Sequence, residues 1–418
     1  MRARRVLITG LGFITPIGND RAAVTRSVRE LKHGLKRVEW FPECPVKLAG
    51  IPGEFELEGA NHATWRWPPR YLIPRDAVRS MPPNAVFGYC AMEQALEDAG
   101  IAREELRDGR TGFFGASAGS PRMMAHHVNA TAEARGTKVH PWAVTHSVAG
   151  TLNFNLASHF GIRGAVTGFV SACAASGHAL GYALDEIAWG RQERMIVVGA
   201  EEPTWEMLVP FSGLRALSRQ TQPEKASRPF DVERDGFVGG GGAVAIVLEA
   251  EDVAERRAAK TVYAELAGWG QAADGHSVAQ SEPEGRGVEE AMRRALASAG
   301  MSASDLEYVS AHATSTVVGD RAEAKALRRV LAESGAAVSG TKALTGHTLS
   351  MAGALSVGIT AVAIREGFVP GQAHLREADP ECAGLNLPRE TRNQAVGAAM
   401  CNCSGFGGSN VALVMRKV

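Results

Sequence analysis

Cys173 stands where an apolar, strand-like run, Ala165-Val-Thr-Gly-Phe-Val-Ser-Ala-Cys173, gives way to a helical pattern rich in small residues, Ala174 to Ala188. A cysteine at such a turn faces the first free N–H groups of the helix, and the helix dipole favours its thiolate, a nucleophile at neutral pH. Taken alone, a cysteine in an apolar segment is more often an inert core residue. Two further segments have the same outline. Tyr308-Val-Ser-Ala-His312 runs from a strand into a loop, and Val338-Ser-Gly-Thr-Lys-Ala-Leu-Thr-Gly-His347 carries Lys342 and His347 ahead of another small-residue helix, Thr348 to Val362. One histidine at a strand end is usually structural, but two histidines and a lysine at glycine- or threonine-lined strand ends need a shared explanation.

The elements that position these residues form a repeat. Val6-Leu-Ile-Thr9 ends in Gly10-Leu-Gly12, and the run from Val262 ends in Gly268-Trp-Gly270, so each outlines a strand followed by glycines. Gly236 to Leu248 and Gly405 to Met415 are both glycine-rich turns running into an apolar strand that closes a sheet. Helical patterns over Ala85 to Gly100, Val288 to Gly300 and Asp320 to Gly335 lie between these markers, with glycine stops and charged outer faces. Alternating strands and helices imply α/β layers with mostly parallel sheets. The repeat suggests two similar halves, 1–258 and 259–418, meeting near a charged, solvent-facing helix, Glu251 to Lys260.

Composition narrows the function classes. The chain has 418 residues, 45% of them hydrophobic, enough for a large core. Lys+Arg and Asp+Glu both number 45, so no global field draws nucleic acid or an anionic membrane. The apolar run after Met1-Arg-Ala-Arg-Arg5 is too short for a signal peptide or a membrane span, and it reads as the first strand of a cytoplasmic protein. Cysteines 44, 90, 173, 382, 401 and 403 include no CxxC pair and give no disulfide framework.

At the chemistry-bearing segments the sequence resembles the β-ketoacyl synthase family, and the resemblance covers nearly the whole chain. Ser171-Ala-Cys-Ala-Ala-Ser176 looks like the family's nucleophile elbow, and His312-Ala-Thr-Ser-Thr316 like its first histidine motif. Lys342 to His347 looks like its lysine and second-histidine motif, and Gly405-Phe-Gly-Gly408 like its C-terminal glycine turn. Gly119-Ser-Pro-Arg122, Glu201-Glu202 with Trp205-Glu-Met207, Ser227-Arg228 and Arg234-Asp-Gly-Phe237 resemble the class I elongating branch, with class II a near second.

The resemblance implies a thiolase-like, five-layered αβαβα fold of two pseudo-symmetric halves, the first carrying the nucleophile and the second the histidine pair and lysine. It implies a 3-oxoacyl-[acyl-carrier-protein] synthase that takes an acyl chain onto Cys173 and extends it by decarboxylative Claisen condensation with a malonyl carrier in fatty-acid elongation. The backbone N–H groups of Cys173 and Phe406 become the oxyanion hole, and His312 and His347 hold the enolate oxygen. Lys342 with Glu323 supplies positioning and electrostatics, while Thr314 and Thr316 contact the phosphopantetheine arm. Arg135 and Lys138 match basic residues that dock the acidic carrier protein, and Arg66, Arg70, Arg75 and Arg79 add a local basic cluster. The implied partners are acyl carrier protein and a second copy of the chain, or a synthase-like subunit in a heterodimer. No metal, cofactor, nucleic acid or membrane is expected.

Three positions depart from the family pattern. Asn402-Cys-Ser-Gly-Phe-Gly-Gly408 has Ser404 where many members carry a gating phenylalanine, Ser356 replaces a carboxylate beyond the second histidine, and Ala313 replaces a glycine. The missing gate, with Gly119 in place of a bulkier residue at the far end of the acyl pocket, makes a ketosynthase of a specialised polyene or polyketide pathway the principal alternative. A degradative thiolase, suggested by Cys403, and a non-catalytic chain-length partner fit less well, because both histidines and Cys173 are present.

Overall fold

The computed structural model describes residues 4–332 and 334–418. Ten strands are hydrogen-bonded in one continuous sheet. Residues up to 250 supply β1 (Val6–Ile14), β2 (Thr111–Ala116), β3 (Val166–Phe169), β4 (Arg194–Glu201) and β5 (Gly242–Ala250). Residues from 264 supply β6 (Ala264–Ala273), β7 (Tyr308–Ser310), β8 (Ala337–Ser339), β9 (Ala398–Gly405) and β10 (Ser409–Arg416). The order is β8-β7-β9-β10-β6-β1-β5-β4-β2-β3, and the halves join where Leu7 and Ile8 pair with Glu265 and Ala264.

Outward from that junction, the halves match pair for pair. β1/β5 and β5/β4 are antiparallel while β4/β2 and β2/β3 are parallel. β6/β10 and β10/β9 are antiparallel while β9/β7 and β7/β8 are parallel. The sheet is therefore mixed, which corrects the expectation of mostly parallel strands. The closing strands β5 and β10 turn back beside β1 and β6, and no crossover helix stands between β9 and β10.

Helices cover the sheet in layers. The outer ones are α1 (Pro83–Ala99) and α4 (Thr151–Phe160) over the first half, and α6 (Arg286–Ala299) and α7 (Val317–Leu331) over the second. α5 (Ala175–Ala188) and α8 (Ala352–Glu366) lie between the halves, against each other and against strands of the sheet. Alternation along buried strands feeds two cores at once. Val244, Ile246 and Leu248 face the central layer, whereas Ala243, Ala245 and Val247 face α1. Cys401 and Cys403 likewise face inward and Met400 outward, as a period of two requires. The segment 349–366 is long and apolar enough to cross a membrane, but here it is buried within this central layer.

The glycine pairs noted in the sequence explain the tight outer layers. A Cβ at Gly12 would lie 1.9 Å from the Ala91 carbonyl oxygen in α1, and one at Gly270 would lie 2.4 Å from that of Ala291 in α6. Each helix lies directly on its first strand because those strands present bare backbone. The helices stop near the expected glycines: Gly100 and Gly300 take φ 69° and 64° as C-caps. The third ends at Leu331, ahead of Gly335.

Candidate active site

β3 ends at Phe169, and the chain tightens through a 3₁₀ turn, Ala172–Ala174, before entering α5. Ala172 takes φ 48°, a left-handed conformation that costs a non-glycine residue about 1–2 kcal/mol. His178 bridges Ser171 Oγ (2.8 Å) and Gln271 (3.0 Å), tying this turn to β6. Cys173, 8% exposed, opens onto a cavity of about 340 Å³ that is also lined by His312, His347, Thr314, Thr316 and Phe406.

Two effects compete at the Cys173 sulfur, the helix terminus that favours a thiolate and the burial that disfavours it. Burial pushes the Cys173 pKa up to about 12; the Lys342 ammonium pulls it down and Glu201 pushes it up again. Burial thus opposes the thiolate that the helix terminus favours. Cys403 makes a useful contrast, since it is 1% exposed and wedged between α5 and α8. A Cβ built at Gly177 or Gly353 would lie only 3.2 or 3.0 Å from its sulfur.

The loop after β7 places His312. Glu323 on α7 accepts the backbone N–H groups of His312 (2.8 Å) and Ala313 (2.7 Å), and Asn402 donates to the same carboxylate at 3.1 Å. Asp320, one turn earlier, accepts the Ser315 N–H (3.0 Å) and that of Phe230 (2.9 Å), and lies 3.3 Å from the buried Arg234 guanidinium. These bonds hold a strained loop, with Ala313 at φ 27° and Ser315 at φ 74°. The family glycine that Ala313 replaces would adopt that conformation freely.

Lys342 donates its Nζ to the His312 carbonyl oxygen. Among the described residues no salt bridge joins Lys342 to Glu323; the two act on each other across the His312 peptide. They grip the residue between them: Glu323 takes the N–H of His312, and Lys342 takes its C=O. Burial lowers the Lys342 pKa while Glu323 opposes that shift, so the carboxylate still supports the ammonium through space.

His312 and His347 meet at ring centroids 5.3 Å apart and nearly perpendicular, 86°. Both Nδ1 atoms are buried without a hydrogen-bond partner among the described residues, which leaves Nε2 as the nitrogen of each ring open to the cavity. Burial, followed by the neighbouring Lys342 charge, holds both imidazoles well below their ordinary pKa. Neutral rings that donate an N–H suit developing negative charge on a substrate oxygen. Gly405 brings the start of the C-terminal turn against Cys173, since a Cβ there would lie 3.1 Å from the Cys173 amide nitrogen. Gly405 and Phe406 line the same cavity as Cys173.

Other residues singled out in the sequence fall in different places. Thr314 and Thr316 share a hydroxyl hydrogen bond of 2.9 Å at the cavity wall. Ser404 also lines the cavity, and beside it the rings of Phe211 and Phe406 approach to 5.8 Å, forming an aromatic rim without the family phenylalanine. Gly119 does not line this cavity. It sits at φ 90°, and a Cβ there would come within 2.9 Å of the Ser147 carbonyl oxygen, so its own turn accounts for the glycine. Ser356 is buried on α8. Arg135 and Lys138 are exposed on the link between α2 (Pro121–Glu133) and α3 (Ala143–Ser147) and do not line the cavity.

Sequence reasoning misses Asp320 and Asn402 as supports of the site. The signal for Asp320 is its place in the first turn of α7, one turn ahead of Glu323, on the face that meets the His312 loop. Asn402 carries no such local signal, because β9 reaches Glu323 only in the folded sheet.

The family model for the β-ketoacyl synthase N-terminal domain matches residues 3–254, and that for the C-terminal domain matches 263–376. The chain belongs to the β-ketoacyl synthase family. It is 35% identical to 3-oxoacyl-[acyl-carrier-protein] synthase 1 of Haemophilus influenzae over 99% of both chains. A β-ketoacyl synthase crystal structure from Burkholderia phymatum superposes with a TM-score of 0.89 at 32% identity, covering 99% of this chain and all of that one. A type II polyketide ketosynthase, solved with its acyl-carrier protein and bound to a hexaketide, matches with a TM-score of 0.88 at 26% identity over the whole of both chains. This synthase thus shares the thiolase-like fold of these ketosynthases, and Cys173, His312, Lys342 and His347 fall within the matched domains.

Proposed function

We propose that this synthase elongates acyl chains held on acyl carrier protein by decarboxylative condensation, acting as a 3-oxoacyl-[acyl-carrier-protein] synthase in fatty-acid synthesis. The carrying observation is the cavity that Cys173, His312, His347, Gly405 and Phe406 line together. In the first half-reaction the Cys173 sulfur attacks the acyl thioester while the amides of Cys173 and Phe406 receive the oxyanion. The carrier's phosphopantetheine sulfur leaves and gains the proton that Cys173 gives up. In the second, the malonyl carboxylate departs as carbon dioxide, and its electron pair becomes an enolate whose oxygen accepts from His312 and His347. The enolate carbon attacks the acyl-cysteine, the Cys173 sulfur leaves and is reprotonated, and a β-ketoacyl chain two carbons longer stays on the carrier.

The relative from Haemophilus influenzae carries this activity in its name, and the hexaketide-bound ketosynthase was captured with an acyl-carrier protein, which supports a carrier as partner here. A second copy of the chain or a synthase-like subunit completes the assembly in this reading. Six cysteines, all free thiols and all buried, suit a reducing cytoplasm. The test is direct. Purified chain with acyl-carrier and carboxyl-labelled malonyl-carrier should release labelled carbon dioxide and give a product two carbons longer; acyl transfer without decarboxylation would refute the reading.

Ser404 favours a second reading, elongation of polyenoyl or aryl chains in a specialised pathway, because the cavity wall lacks a phenylalanine ring there. Ser404→Phe should narrow the range of accepted carrier-bound chains, with stiff substrates losing more than saturated ones. An unchanged range would show that Phe211 and Phe406 already provide the gate.

A further inference from the structure

Five of the twelve histidines, His62, His126, His127, His140 and His146, gather on one side of the molecule, outside the condensing cavity. Three of them converge. His127 lies on α2, His146 on α3, and His140 on the exposed link between the two helices. Their ring centroids are 5.1 Å (His127 to His140), 5.2 Å (His127 to His146) and 5.5 Å (His140 to His146) apart. One ring nitrogen from each falls within 4.8 Å of those of the other two.

The closest pair already brings two ring nitrogens together. His146, fully buried, donates its Nε2–H to the Arg79 carbonyl at 2.9 Å, which fixes its tautomer and leaves the Nδ1 lone pair facing His127 Nε2, also at 2.9 Å. A ligating histidine characteristically donates its other N–H to a carbonyl in this way. Imidazole nitrogens about 2.0–2.1 Å from one tetrahedral ion stand roughly 3.3 Å apart, so the pair must part by a few tenths of an ångström and turn both lone pairs to a common point, with His127 Nε2 giving up the proton it donates to His146 Nδ1. His140, exposed at the mouth, gives up only a long hydrogen bond from the Trp142 N–H (3.2 Å) to complete a tripod.

We propose that His127, His140 and His146 bind a borderline divalent transition-metal ion such as Zn²⁺ through three imidazole nitrogens, with a fourth position open to water. A proton shared between His127 and His146 accounts for two of these rings and gives the third no reason to join them. The sequence offers no sign of the site, since ligands at 127, 140 and 146 lack the short spacing of a helical or knuckle motif, and no metal is expected from it. The ion would close the link 134–142, which carries Arg135 and Lys138, into a fixed loop. The site itself is independent of the condensation reading.

The experiment uses the full chain carrying Cys173→Ala, so that the catalytic thiol cannot be mistaken for a ligand, after dialysis against chelator. Calorimetric titration with Zn²⁺, and with Co²⁺ followed by its visible absorption, should give one ion per chain and a higher thermal midpoint. His127→Ala should weaken binding by more than roughly a hundredfold and the exposed His140→Ala by about tenfold or more, whereas His126→Ala should leave it unchanged. His140→Ala keeps the test sound if a buried variant fails to fold. Zn²⁺ binding that is absent in the parent, or equal in the parent and His140→Ala, would overturn the site.

Discussion

The two halves of the chain enter their shared central layer by the same path and then diverge. Ala172 at φ 48° and Leu349 at φ 52° each open a 3₁₀ turn, Ala172–Ala174 and Leu349–Met351, that leads into α5 and α8. The second residue of the turn is Cys173 in one half and Ser350 in the other. Cys173 opens onto the cavity, whereas the Ser350 hydroxyl donates to the buried Glu201 carboxyl, whose pKa burial raises to about 8. The approach differs too. Only Val170 and Ser171 separate β3 from its turn, while residues 340–348 intervene after β8 and carry Lys342 and His347. One repeated scaffold thus brings two helix entrances together; in the proposed reaction one carries the nucleophile, and the longer approach to the other carries Lys342 and His347.

Exchanging the two turns gives the largest expected effect. Cys173→Ala should abolish both acylation and condensation, and adding Ser350→Cys to it should restore neither, because position 350 faces Glu201. Ser350→Ala alone should leave acylation of Cys173 in place and lower the thermal midpoint, since a buried carboxyl loses its hydroxyl donor. Acylation recovered at position 350 in the double variant would show the two entrances to be chemically equivalent.

The histidines sharpen the comparison at the next level. His312→Ala and His347→Ala should each slow malonyl decarboxylation by roughly a hundredfold, about 3 kcal/mol, and slow acylation less, because the enolate charge develops only in the later step. Equal losses in both steps would make the rings structural. Their pKa directions add a stability prediction. Both rings titrate far below the unfolded value near 6.5, so folding binds fewer protons, and their contribution is present above that pH and is lost as the pH falls below it. The thermal midpoint should drop between pH 7 and pH 5, and drop less in His347→Gln; an equal drop would assign the effect to other groups.

Much of this site was legible in the chain because strand ends and small-residue helices leave local marks. Cys173, His312, Lys342 and His347 each sit next to such a mark, and all four come together. What depends on long-range pairing was not legible. The antiparallel β5 and β10 look like any apolar strands until their neighbours are known, and the pairing of Glu323 with Lys342 expected from the sequence does not show that the His312 peptide lies between them. The raised Cys173 pKa is likewise a property of depth, which composition near the residue does not reveal.

The smallest effect concerns the first half's exposed link. Charge reversal at Arg135 and Lys138 should raise KM for carrier-bound substrates by roughly tenfold at low salt, flatten its salt dependence and spare small thioesters. A change that strikes small thioesters equally would remove these residues from docking.

The most direct test of the division of labour between the halves is to locate the acyl group itself. After brief incubation of the wild-type chain with acyl-carrier, peptide mapping by mass spectrometry should find the acyl mass on the peptide holding Cys173, with none on the peptide holding Cys401 and Cys403. The same result should hold in Ser350→Ala. An adduct on Cys403, or acylation that persists in Cys173→Ala, would contradict the account.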